Sequence, residues 1–99
     1  MKVIWTNHAT ADLVEIYAFI ARDSVRYAQQ MVDRITRRSI QLAKFPDSGA
    51  VVSKFARDDI REVLEGSYRL IYQRTESQIA VLTVLHGARK LTDLPASDT

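Results

Sequence analysis

Hydrophobic positions fall along this chain in two rhythms. Ala9, Leu13, Ile16, Tyr17 and Ile20 recur at three- and four-residue spacings, with polar Asp12, Glu15 and Arg22 between them. That period predicts an amphipathic helix of about four turns, capped by Thr6 or Asn7 and ending near Asp23. Ser24 offers a second cap almost at once, and Ala28, Met31, Val32, Ile35, Leu42 and Ala43 carry a longer helix as far as the stretch KFPDSG. Pro46 stops it, because the ring blocks helical continuation and pushes Phe45 out of the helical region. So short a connection folds the two helices back on each other as an antiparallel hairpin.

The second rhythm is that of strands. KVIW at the N-terminus is short, β-branched and aromatic, and Trp5 reads as an anchor against the helices. Residues 50–59, AVVSKFARDD, show no clean period and are expected to be irregular. From Ile60 three β segments follow, IREVL, YRLIY and IAVLTVLH, with Gly66 and Ser67 suited to one tight turn and TESQ to the next. Sequential strands usually pair, so the three form an antiparallel meander, with the first strand added at one edge or between them. The expected fold is α+β, in the order β-α-α-β-β-β, a helical hairpin packed on a small antiparallel sheet. Within YRLIY, Tyr68, Leu70 and Tyr72 share one face while Arg69, Ile71 and Gln73 share the other. The two tyrosines therefore read as core.

Composition narrows the chemistry. A length of 99 residues at 46% hydrophobic fits one domain, residues 1–99, with the polar tail TDLPASDT from about residue 92 expected to fray. No run approaches the ~18 apolar residues of a membrane span, and the N-terminus lacks a secretory signal, so a cytoplasmic protein is expected. The absence of cysteine excludes disulfides and thiolate chemistry, and two distant histidines leave no ordinary zinc set. Neither metal nor cofactor is expected. The net charge of +2 is unevenly spread: Arg26, Arg34, Arg37, Arg38 and Lys44 stand against the single acid Asp33. Such a stripe suits nucleic acid, an acidic protein or the ribosome, or is simply a solvated helix face.

The close of the last strand, VLHGAR, holds the candidate chemistry. Histidine is the side chain suited to proton shuttling, which makes His86 a candidate with Arg89 three residues on, although a strand end followed by a glycine bend needs no chemistry to explain it. Arg69 either reaches a target phosphate or bridges to Glu62 or Glu65 across the hairpin, and Arg61 and Glu62 read as a charge pair. His8, beside a helix start, reads as a surface residue.

The stretches ADLVEIYAFIARDS, LAKFPDSG, DIREVLEGSYRLIYQ and IAVLTVLHGARKL, in this order from Lys2 to about Leu91, resemble the RelE/ParE superfamily of bacterial type II toxins, and its ParE-like branch in particular. The resemblance implies a toxin neutralised by a cognate ParD-like antitoxin, and hence a hetero-oligomer. ParE-like members are associated with inhibition of DNA gyrase, and RelE-like members with ribosome-dependent cleavage of mRNA. Arg69 and Arg89 match the two family arginines. Where the RelE pattern places lysines, however, this chain has Ile60 and Glu62, and LTDLPASDT holds no tyrosine or histidine to serve as the acid. Gyrase binding through Arg89 and Lys90, with Arg69, is therefore the favoured expectation. An endoribonuclease using Arg69, His86 and Arg89 is the alternative, and an antitoxin-binding module without toxicity would read the same. The resemblance also implies that the antitoxin's acidic, largely helical C-terminal segment crosses the helical hairpin. Ile16 and Phe19 are the expected floor of that groove, and Arg34, Arg37 and Arg38 its complementary charge.

Overall fold

In the computed structural model, which describes residues 1–95, each helix begins where a hydroxyl can cap it. Thr6 Oγ1 accepts the Ala9 N–H at 3.1 Å and starts α1 (Asn7–Ala21); Ser24 Oγ accepts the Tyr27 N–H at 3.1 Å and starts α2 (Val25–Gln41). Thr6 is fully buried and also donates its hydroxyl to the Val81 carbonyl at 2.9 Å, so the first cap ties helix to sheet. The second helix ends earlier than its apolar period predicts. Leu42 and Ala43 lie in a turn after Gln41, where the Leu42 N–H already bonds the Ser39 carbonyl in the tighter i−3 pattern.

The strands are β1 (Lys2–Trp5), β2 (Ala50–Val51), β3 (Ile60–Glu65), β4 (Tyr68–Arg74) and β5 (Gln78–His86), in the spatial order β1-β5-β4-β3-β2. The antiparallel meander β3-β4-β5 is as expected, but the sheet as a whole is mixed. β1 pairs parallel to β5, from Lys2 opposite Gln78 to Trp5 opposite Val81. The stretch 50–59 also departs from expectation. Its first two residues pair with Arg61 and Glu62 as β2, and a 3₁₀ turn at Ser53–Phe55 follows, closed by Ala56 at φ 51°. Between β3 and β4 the loop is only Gly66 and Ser67. Gly66 takes φ +59°, and a Cβ there would also come within 3.1 Å of the Met31 Cε.

β5 is buried on both faces and carries a bulge. Ile71 pairs with Thr83 but Tyr72 pairs with Val81, which leaves Leu82 as the extra residue. The bulge changes the phase of the alternation. Ile79 and Val81 before it, and Val84 after it, all join the helix-facing core with Ile16, Ile20, Met31, Ile35, Leu70 and Tyr72. Ala80, Leu82 and Leu85 instead join Val52, Ile60 and Ile71 on the opposite face. That second face is covered by Phe55, Leu91 and Leu94 rather than by a helix. Within the tail expected to fray from about residue 92, Leu94 packs with Leu91 against this face; residues 96–99 lie outside the described part. Trp5 anchors as expected: its ring packs against the helix-facing core and its Nε1 donates to Ser39 Oγ on α2 at 3.2 Å.

Candidate functional site

The three residues that a nuclease reading requires do not share a surface. Tyr68 stands opposite His86 and Arg69 opposite Leu85, so the two neighbouring pairs point to opposite faces of the sheet. His86 lies on the helix side, edge-on to the Tyr68 ring with centroids 5.6 Å apart, and its Nδ1 accepts the Ala88 N–H at 3.1 Å. Arg69 lies on the other side, where its guanidinium donates to Glu62 Oε2 at 3.0 Å, the bridge expected across the hairpin. Arg61 does not pair with Glu62. It donates instead to the Gly49 carbonyl at 3.0 Å and the Asp58 carbonyl at 3.1 Å, because adjacent strand residues face opposite ways. Burial pushes the Tyr68 phenol above its ordinary pKa, with nearby Tyr27 adding to the effect, so Tyr68 stays neutral at physiological pH.

Beside His86 runs an open groove. One wall is α1, through Asp12, Glu15, Ile16 and Phe19, and the other is formed by Tyr68, Val84, Leu85 and His86, with Arg89 at one end. It continues past Phe19, Tyr68 and His86 to Asp23, Tyr27, Met31 and Ser67. The two parts enclose about 320 Å³ and 240 Å³. Ile16 is almost wholly buried beneath it, whereas Phe19 is 65% exposed and Tyr27 49% exposed. Exposed aromatic rings along an unfilled groove mark a docking surface.

A second cleft of about 360 Å³ adjoins the Arg89 end, between the first turns of α1 and the C-terminal tail. Asp12 organises it. Its Oδ2 accepts the Thr83 hydroxyl at 2.5 Å and the Val84 N–H at 3.0 Å, and lies 3.5 Å from His8 Nε2. β1 stops opposite Val81, so the edge of β5 beyond it needs other partners, and the Asp12 carboxylate supplies one. No sequence signal marked this residue, because Asp12 falls on the polar face of α1. Arg89 and Lys90 both line the cleft and are exposed.

The basic stripe of α2 lies elsewhere. None of Arg34, Arg37 and Arg38, the expected complementary charge for an antitoxin, is among the residues lining the groove. Arg34 is held by Glu65, with Nη2 2.7 Å and Nε 3.1 Å from Oε2, and Arg38 donates to Gln41. α2 packs its apolar stripe on the sheet, so its arginines face outward. At the far side of the sheet Arg57 grips Asp59 through two bonds of 2.9 and 2.7 Å, and Gln73 Nε2 adds a third at 3.0 Å. Among the described residues no cluster of three or more His, Cys, Asp or Glu is placed to hold a metal. No described helix is long and apolar enough to cross a membrane.

A helical hairpin on one face of a five-stranded sheet, with a groove left open beside it, defines a small α+β binding fold. Residues 3–91 match the family of the ParE toxin of type II toxin-antitoxin system, parDE, and the chain belongs to that family. A relative named Toxin RelE2, from Caulobacter vibrioides, is 30% identical over 89 residues, covering 89% of this chain and 97% of the relative. A solved structure described as the chromosomal ParDE TA system from P. aeruginosa shares the fold at a TM-score of 0.72 and 23% identity, covering 87% of this chain and 95% of that one.

Proposed function

We propose that this ParE-type toxin inhibits DNA gyrase by binding, and that a ParD-like antitoxin neutralises it by filling the groove beside α1. The observation that carries the first half is the separation of Arg69 from His86 by the thickness of the sheet. General acid–base cleavage of RNA needs a proton-transfer group and a phosphate-binding cation within reach of one scissile bond. Arg69 stands on the face opposite His86 and is already engaged by Glu62, so of the three candidate residues only His86 and Arg89 share the groove and the nuclease set is incomplete. Arg89 and Lys90, exposed and without a described side-chain partner, are the residues best able to meet an external target. Arg89 also ends the groove, so a segment seated there covers it. One occupant then both fills the apolar surface and hides the target-binding cation.

The test is a supercoiling assay with purified gyrase, with and without antitoxin. Inhibition with accumulation of cleaved DNA, relieved by antitoxin and reduced by Arg89→Ala with Lys90→Ala, supports the reading; Arg69→Ala should leave inhibition intact. No effect from folded protein in large excess overturns it. The second reading, cleavage of mRNA on the ribosome, is favoured by the similarity to the protein named RelE2. It predicts codon-spaced cuts in translated mRNA that disappear with His86→Ala. A chain inert in both assays that still binds the antitoxin is an interaction module.

A further inference from the structure

The groove is acidic although the chain carries net positive charge. Asp12, Glu15 and Asp23 line it against the single cation Arg89. Asp12 is occupied by Thr83, Val84 and His8. The Glu15 and Asp23 carboxylates and the Arg89 guanidinium make no hydrogen bond or ion pair with a described residue, so their charges are free to meet a ligand. From Asp12 to Ile20 the wall follows α1 for about 12 Å, at ~1.5 Å per residue, enough for two turns of a helix laid alongside. Between the carboxylates the surface is apolar: Phe19, Tyr27, Tyr68 and Met31.

We infer that the segment seated in this groove is an amphipathic helix of the antitoxin that carries lysine or arginine on the edge facing α1, opposite Glu15 and Asp23. Its carboxylates are confined to the end that reaches Arg89. The inference rests on the proposal that the groove receives the antitoxin, and it reverses the charge that an acidic segment would bring. A helix acidic along its length would set carboxylates against Glu15 and Asp23, and like charges at a rim slow encounter and weaken the complex. Apolar side chains three or four residues apart fill the floor around Phe19 and Tyr68. The acidic remainder of such a partner has a separate place to go, on the outward arginines of α2.

The experiment measures binding of the full chain to a purified cognate ParD-like antitoxin, at low and high salt. Two surface variants are compared, Glu15→Lys combined with Asp23→Lys, and Phe19→Asp, each checked for folding by circular dichroism. The charge reversal is expected to weaken binding by about tenfold at low salt, with the loss shrinking at high salt. Phe19→Asp is expected to weaken it at both. Unchanged or tighter binding by the charge-reversed variant, with Phe19→Asp still defective, overturns the inference and leaves the groove as the antitoxin site. Full-strength binding by Phe19→Asp overturns both.

Discussion

Tyr72 shows how one side chain can be legible in kind and hidden in role. Its parity with Tyr68 and Leu70 puts it in the core, and it is fully buried there. Its hydroxyl, however, donates to the Pro46 carbonyl at 2.8 Å and accepts the Gly49 N–H at 3.0 Å, locking down the turn that follows α2. A Cβ at Gly49 would lie 2.6 Å from that hydroxyl and 2.7 Å from the Glu62 carbonyl, so the close approach depends on glycine. Tyr72→Phe should cost about 1–3 kcal/mol in urea denaturation, since it strands the buried Gly49 N–H and the half-buried Pro46 carbonyl. Asp59 gives a pH-dependent counterpart. The Arg57 guanidinium, with help from Gln73, lowers its pKa from 3.8 to about 2. A carboxylate depressed in the folded state contributes stability that is complete above its ordinary pKa and lost as pH falls through the folded value. The difference in urea midpoint between the native chain and Asp59→Asn should therefore hold above pH 3.8 and close as pH falls to about 2. His86 marks the limit of such reading. Counting by twos from Ile79 sets His86 on the face of Arg69, and only the bulge at Leu82 turns it to the face of Tyr68. A bulge leaves no composition signal in a run as uniformly apolar as IAVLTVL.

At the level of elements, what the sequence made readable was what repeats. The helix periods, the hydroxyl caps and the Gly66 hairpin are local properties, and they stand in the structure apart from the early end of α2 at Gln41. Residues 50–59 were unreadable because β2 is two residues long and exists only through its pairing with Arg61 and Glu62. The junction of α1 with β5 is likewise non-local. Asp12 receives two bonds from β5 where β1 no longer covers its edge, and no rule of spacing connects residues so far apart in sequence. Asp12→Ala should lower stability by about 1.5–3 kcal/mol, the range for hydrogen bonds to a charged group, and speed amide exchange at Val84. Unchanged exchange there would mean that the strand edge is protected by something other than this carboxylate.

Across the whole molecule, charge and apolar surface are sorted by face. The outward side of α2 is basic, the groove beside α1 is acidic and aromatic, and the far face of the sheet is closed by a loop and the tail. The excess of arginine between residues 26 and 44 was plain in the sequence, but its position away from the groove follows from how α2 lies on the sheet. The tail is the thinnest part of this arrangement. Leu91→Ser with Leu94→Ser should uncover Leu82 and Leu85, raise binding of a hydrophobic dye and cost about 1–3 kcal/mol in total, as partial burial of two leucines implies. Helical circular dichroism should not change, because the helix-facing core is separate.

The position of β5 has a consequence for how the protein comes into being. It is the last strand to be synthesised, yet it lies between β1 and β4 and supplies residues to both cores. While the chain is still growing, the helical hairpin has emerged without the strand it packs on, and β1 has no strand to pair with. Domains acquire stability as units when their long-range contacts become available. For this toxin that moment comes only when residues 78–86 have left the ribosome, so a nascent chain exposes apolar helix faces but no finished groove. An antitoxin that recognises the groove can therefore engage only toxin whose synthesis has passed β5.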